Sequence, residues 1–241
     1  MGLIKRKKAE KKLRFFLSSA CCIICDMDTI YTAARERRQA VLKKKTGIMG
    51  GTFNPPHIGH LFMAEQAFYE FGLDRVMLMP LGDPPHKRDI ELLPAPMRLA
   101  MLETMTENAP FLSVSDIELK RSGYTYTVDT LNELKRENDD DYYYIIGADT
   151  LFELHHWREF EKVMHMTEFI CFMRRGIDRR EVAAQIKLMR DEYGKRVLLS
   201  GAVVPDISST EIRARIKEGL SIKGMVTEKV RGILEANNAF R

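Results

Sequence analysis

The sequence predicts an α/β fold: a doubly wound parallel sheet in a single domain, residues 46–241, with a basic N-terminal extension, residues 1–45. Three observations predict it. Short apolar runs rich in β-branched and aromatic residues alternate with longer segments of helical periodicity, the pattern of a parallel sheet covered on both faces. A glycine pair, Gly50-Gly51, closes the first run and leads into the first helical segment. The chain has 241 residues, 45% hydrophobic and 30% charged, ordinary values for a globular domain of that size.

The elements follow in order. The strand candidates are Gly47–Gly50, Arg75–Pro80, Leu112–Asp116, Tyr142–Gly147, Phe169–Arg174 and Val197–Gly201, each short, apolar and bounded by Gly, Pro or charge. The helix candidates are Ile58–Phe71, Pro94–Glu107, Thr127–Glu137, Arg158–Met164, Arg179–Tyr193, Ser209–Glu218 and Thr227–Ala236. Asp178 is the expected N-cap of the fifth. Asp139-Asp140-Asp141 reads as a solvated helix-to-strand loop, and Met79 and Met173 as core. No internal repeat is visible.

Charge is unevenly placed. Residues 1–46 hold 13 Lys/Arg and 4 Asp/Glu, whereas the remainder holds 25 and 30, so a formal charge of +4 hides a mildly acidic body. That argues against nucleic acid as a partner. Three of four cysteines (Cys21, Cys22, Cys25) lie in the extension, which argues against a disulfide scaffold and suits a reducing, cytoplasmic compartment. The apolar stretch Phe15–Cys25 is too short to span a bilayer, which takes about 20 residues. Gly2 invites a lipidation reading, but Arg6 stands where Ser or Thr is required. Three readings stay open for the extension: a poorly ordered or helical tail, a segment ahead of the true start, or a helix that touches a membrane surface or partner.

Two motifs carry chemistry. In Gly50-Gly51-Thr52-Phe53-Asn54-Pro55-Pro56-His57-Ile58-Gly59-His60, a glycine turn precedes two histidines three residues apart, which share a side if a helix starts near His57. In Ile207-Ser208-Ser209-Thr210-Glu211-Ile212-Arg213, hydroxyls stand at a helix start with a guanidinium one turn in. A helix start offers unpaired N–H groups and a dipole that favours anions. Together they describe a phosphate site suited to a nucleotide. The spacing fits neither a P-loop nor G-x-G-x-x-G, so a Walker ATPase and a hydride-transfer dinucleotide fold are disfavoured. With no third ligand near the histidines, no metal site is expected.

These motifs resemble the nucleotidylyltransferase superfamily, and within it the bacterial nicotinate-nucleotide adenylyltransferases, over about residues 46–238. Further segments carry that narrower resemblance: Pro84-Pro85-His86-Lys87, Gly123-Tyr124-Thr125-Tyr126-Thr127-Val128-Asp129-Thr130-Leu131, and Gly147-Ala148-Asp149 followed by Trp157. Asn54 stands where Asp is common. The resemblance implies a Rossmann-like sheet and a reaction of ATP, carried with Mg2+, with nicotinate mononucleotide. It implies that His57, His60 and Arg213 are catalytic, and that Gly50, Gly51, Thr52, Phe53, Gly59, Gly147, Asp149, Ser208, Ser209 and Thr210 bind ATP. Lys87, Thr125, Tyr126, Thr127 and Trp157 would bind the mononucleotide. The alternative is a same-fold adenylyl- or cytidylyltransferase acting on nicotinamide mononucleotide or phosphopantetheine. A third reading, a nucleotide-sensing module without catalysis, is disfavoured by the presence of both histidines and Arg213. Oligomeric state is not written in the sequence.

Overall fold

The computed structural model describes residues 43–82 and 91–241. Within it Lys44–Arg241 form one compact unit. Its sheet has six parallel strands: β1 (Lys45–Gly51), β2 (Arg75–Pro80), β3 (Leu112–Val114), β4 (Asp141–Gly147), β5 (Glu168–Phe172) and β6 (Val197–Leu199). Their spatial order is β3-β2-β1-β4-β5-β6. The order reverses between β1 and β4, which pair in register from Lys45↔Asp141 to Ile48↔Tyr144. In an open parallel sheet such a reversal leaves a crevice beyond the strand C-termini, where ligands bind.

Among the described residues eight α-helices cross over between and beyond these strands: α1 (Ile58–Phe71), α2 (Ala95–Thr106), α3 (Thr127–Glu137), α4 (Ala148–Glu153), α5 (Phe160–Met166), α6 (Arg179–Tyr193), α7 (Ser209–Lys217) and α8 (Glu228–Ala236). Each predicted strand and helix is present, with ends displaced by one or two residues. The exception in kind is α4, with the 3₁₀ turn Leu154–His156 behind it, in a stretch between the strand candidate Tyr142–Gly147 and the helix candidate Arg158–Met164 for which no element is predicted. Six residues of mixed polarity are too few for a helical period to show.

Strand alternation divides the core. Ile48, Tyr144, Ile146, Phe169 and Cys171 face one side, with Val128 and Leu131 of α3 and Val182 of α6. Met49, Val76, Leu78, Ile145, Ile170 and Phe172 face the other, with Met63, Ala64 and Ala67 of α1 and Leu102 of α2. Side chains one residue apart on a strand point to opposite faces, so two covered faces need continuous apolar strands. A third cluster joins Met101 and Met105 of α2 to Ile212, Val230, Leu234 and Phe240. That cluster holds the C-terminal helices near the crevice.

Local chemistry sets the helix ends. Asp178 caps α6, its carboxylate accepting from Arg180 N–H at 2.7 Å. Gly194 ends the same helix at φ 65°, a left-handed conformation that glycine adopts without steric cost. Asp140 departs from its reading as a solvated loop residue. Its carboxylate accepts from Arg75 and from Thr46 Oγ1, both at 2.7 Å, and so joins the starts of β1 and β2 to the loop before β4. Among the described residues no helix is long and apolar enough to cross a membrane.

Candidate active site

β1 ends at Gly51 and its chain turns through Thr52–Pro56 into α1. Gly50 must be glycine because a Cβ there would lie 2.2 Å from the Tyr144 hydroxyl. Phe53 is left-handed at φ 49°, and its side chain is buried in the core. Any contact it makes with a nucleotide is therefore through its backbone. Thr52 is buried as well. The Asn54 amide donates to Glu91 O (2.8 Å) and accepts from Leu93 N–H (3.0 Å). An aspartate could not make the first of these bonds, so the departure from the family residue is put to use here.

His57 is the N-cap of α1 and His60 its third residue. His57 N–H donates to His60 Nδ1 at 3.1 Å, the return half of a capping box with imidazole in place of Glu or Gln. A neutral His60 that accepts at Nδ1 carries its proton on Nε2, so it is oriented as a donor. The rings stack with centroids 3.7 Å apart, and Phe53 meets His60 edge-on at 4.9 Å. His57 is buried, and its Nδ1 has no hydrogen-bond partner. Burial, with the Arg174 charge adding to it, lowers its pKa to about 4, so it is neutral near pH 7. Gly59 leaves room for that ring: a Cβ would stand 3.0 Å from both Cε1 and Nδ1 of His57.

The second motif reaches the first across the fold. Ser208 caps α7 by accepting from Glu211 N–H at 3.1 Å. Ser209 Oγ donates to Pro55 O (2.8 Å), and Arg213 Nη1 donates to Asn54 O (2.8 Å). Arg213 Nη2 donates to Thr210 Oγ1 at 3.1 Å. The hydroxyls, the guanidinium and the histidine turn thus share one end of the sheet.

A pocket of about 480 Å³ opens beside them at the β1/β4 reversal. Gly50, His60, Thr125, Tyr126, Thr127, Gly147 and Trp157, all expected site residues, line it. Trp157 is half-buried and lies edge-on to Tyr144 at 5.4 Å. Arg158, also lining the pocket, places its guanidinium 4.7 Å from the centre of the Tyr126 ring. Asp149 is exposed at the start of α4, with Oδ1 3.4 Å from Arg174 Nε. A Cβ on Gly147 would collide with both groups, at 2.3 and 2.7 Å. Lys87, with the rest of Pro84–Lys87, lies outside the described residues.

Sequence reasoning missed Arg174, Arg158, Arg98 and Glu118. Arg174 follows β5 and was counted into a strand candidate. Its signal was position: a charged residue at the C-terminal end of a parallel strand sits where ligands bind. Arg98 is 1% exposed and donates from α2 to the carbonyls of Leu93 (3.1 Å), Thr52 (2.9 Å) and Leu81 (2.8 Å), bracing the turn from behind. Nothing in the spacing of its helix marks it.

Residues 48–215 match the Cytidylyltransferase-like family. The chain is 39% identical over 199 residues to the "Probable nicotinate-nucleotide adenylyltransferase" of Desulfitobacterium hafniense (strain DSM 10664 / DCB-2), covering 82% of this chain and 96% of that one. It is 37% identical over 199 residues to the protein of the same name from Clostridium novyi (strain NT), covering 82% and 100%. The fold is that of the Plasmodium falciparum nicotinic acid mononucleotide adenylyltransferase solved in complex with NaAD. That match has a TM-score of 0.68 at 18% identity over 82% of this chain and 97% of that one. On these matches and on the joined histidine and Ser-Ser-Thr motifs, the chain belongs to the nicotinate-nucleotide adenylyltransferases, within the cytidylyltransferase-like enzymes.

Proposed function

We propose that this enzyme transfers the adenylyl group of ATP to nicotinate mononucleotide, giving nicotinate adenine dinucleotide and pyrophosphate, as a step in making pyridine dinucleotides. The observation that carries the acceptor is the pocket lining. Trp157 offers an aromatic face, Arg158 and Arg174 supply positive charge, and none of the described residues lining the pocket is acidic. An acceptor with a flat ring, a carboxylate and a phosphate matches that surface.

The mononucleotide phosphate oxygen attacks the α-phosphorus of ATP. One P–O bond forms, the bond to the β-bridging oxygen breaks, and pyrophosphate leaves with the electron pair. Such transfers need positioning and charge neutralisation rather than covalent catalysis. His60, oriented as a donor, serves the α-phosphate. His57, neutral and stacked beneath it, holds it in place. The start of α7, with Ser209, Thr210 and Arg213, receives the leaving phosphates, and Mg2+ enters with ATP as part of the substrate. Gly50 and Gly147 let Tyr144, Asp149 and Arg174 pack closely on the ends of β1 and β4, and Asp149 is assigned to the adenosine ribose. The test is pyrophosphate release with nicotinate mononucleotide, nicotinamide mononucleotide and phosphopantetheine in turn. Preference for either of the last two would refute the reading.

Trp157→Ala is expected to raise KM for nicotinate mononucleotide about 5- to 150-fold, the equivalent of the roughly 1–3 kcal/mol of base–aromatic stacking. KM for ATP should stay within about twofold of wild type. Because Trp157 is the sole tryptophan, its fluorescence should titrate with the mononucleotide. An unchanged KM with a lowered Tm would make Trp157 a core anchor only.

Residues 1–42 are proposed to be dispensable for catalysis, and the enzyme to be cytoplasmic. The boundary belongs before Lys45 rather than after it. Lys45 opens β1, its N–H donates to Asp74 Oδ2 at 2.8 Å, and its carbonyl accepts from Asp74 N–H at 2.9 Å. Residues 1–42 carry ten basic and four acidic side chains, so their removal turns a formal +4 into −2. The shortened enzyme should keep its Tm and kcat. It should also lose any salt-sensitive co-sedimentation with anionic vesicles that the full chain shows. A large loss of either Tm or kcat would put the extension into the working fold.

A further inference from the structure

Glu118 is a buried carboxyl that the chemistry above does not use. It lies in the turn after β3 and is 2% exposed. Thr130 Oγ1, on α3, donates to its Oε1 at 2.7 Å. The same Thr130 oxygen accepts from Arg121 Nη1 at 2.8 Å, and Arg121 pairs onward with Glu133. The other carboxyl oxygen, Oε2, is buried with no partner at hydrogen-bond geometry, as is the nearby Thr125 hydroxyl. Thr125, Thr130 and Arg121 all favour the charged carboxylate, against a larger effect of burial that raises its pKa. The Glu118 charge is also felt at Tyr144, whose phenol lies beside Thr127. Its backbone takes part too: a Cβ on Gly82 would sit 2.6 Å from Glu118 O and 3.1 Å from Thr125 Cγ2.

The placement has a consequence. Tyr126 and Thr127, at the start of α3, line the pocket, and Thr130, which Glu118 bonds, lies within the first turn of the same helix with its Oγ1 3.3 Å from Tyr126 O. A buried polar group fixes the orientation of whatever it bonds, because an unpaired alternative is costly. We propose that Glu118 is a positioning residue for the acceptor site: its carboxyl, bonded to Thr130, ties the turn after β3 to the first turn of α3 and so fixes Tyr126 and Thr127, against which the mononucleotide lies. Glu118 touches no substrate and acts through those side chains. The proposal rests on the reading that this pocket takes the mononucleotide.

The test uses the full chain with Glu118→Gln, which keeps the shape and the acceptor for Thr130 but removes the charge. KM for nicotinate mononucleotide should rise several-fold, because the Thr130 hydrogen bond then ends on a neutral acceptor, about half as strong as a charged one. KM for ATP and kcat should stay within about twofold of wild type. The Kd from Trp157 fluorescence should rise in step with KM. A merely structural Glu118 would lower Tm and leave that ratio of KM values alone, which would overturn the proposal. Thr130→Val, on α3 and outside the pocket lining, tests the anchor if Glu118→Gln fails to fold. It should raise the same KM several-fold, and an unchanged KM would overturn the proposal equally. Wild-type enzyme run alongside separates the two ideas. If it neither turns over nicotinate mononucleotide nor shows a fluorescence response, the pocket assignment has failed. If it does both while the variants match it, only the role of Glu118 has failed.

Discussion

His60→Ala is expected to lower kcat by about 10²–10³ while changing either KM little, the usual cost of removing one preorganised donor to developing charge. The geometry singles out this residue over its neighbour. His60 lines the pocket, whereas His57 is buried with a pKa of about 4. The backbone N–H of His57 occupies His60 Nδ1, which leaves Nε2 to carry the proton. A donor fixed by the helix cap itself needs no reorganisation when charge builds on the α-phosphate. The substitution also removes a cap, which costs about 1 kcal/mol of stability. His60→Asn separates the two effects, because a side-chain carbonyl can accept from His57 N–H. It should restore Tm and leave kcat low. A His60→Ala enzyme with near wild-type kcat would remove His60 from the chemistry.

Arg98→Met is expected to cost about 3 kcal/mol of folding stability, because it strands three buried carbonyls at roughly 1–3 kcal/mol each, offset in part by removing a buried charge. The guanidinium bonds the carbonyls of Thr52, Leu81 and Leu93, and burial lowers its pKa. These carbonyls lie on the turn after β1, the end of β2 and the approach to α2. One side chain therefore fixes the spacing of three segments around the site. Activity should fall as well, measured well below the melting range, because the turn before His57 loses its brace. Arg98→Lys should be only partly better, since an ammonium lacks the planar fork that reaches several acceptors at once. Denaturant unfolding gives the answer. A variant within 1 kcal/mol of wild type would mean that the carbonyls find other partners.

Much of the site was legible before any coordinates. The glycine turn, both histidines and the Ser-Ser-Thr start of α7 were marked by spacing that only helix starts and anion sites explain. The same is true of Trp157 and the Thr125–Thr127 segment, through their resemblance to a family pattern, and the structure puts them in one pocket with His60. Phe53 is expected to contact the nucleotide, and its buried side chain leaves only its backbone for that contact. Local spacing marks a turn residue without saying which way it faces.

By itself the sequence determined the order of the strands and of every helix but α4, the Asp178 cap and the two phosphate motifs. Those depend on side-chain period and on chemistry within a few residues, which the chain carries locally. Only the tertiary structure decided which distant groups meet. Ser209 reaches Pro55 over 154 positions and Arg213 reaches Asn54 over 159. Arg98, Glu118 and Arg174 have ordinary surroundings in sequence, and their importance comes from burial and from the carbonyls, hydroxyls and carboxylate placed around them. Burial is a property of the whole packed chain: the sheet reversal between β1 and β4 and the apolar cluster under α7 and α8 bring these groups together. A polar side chain becomes consequential there because solvent is no longer available to it as a partner.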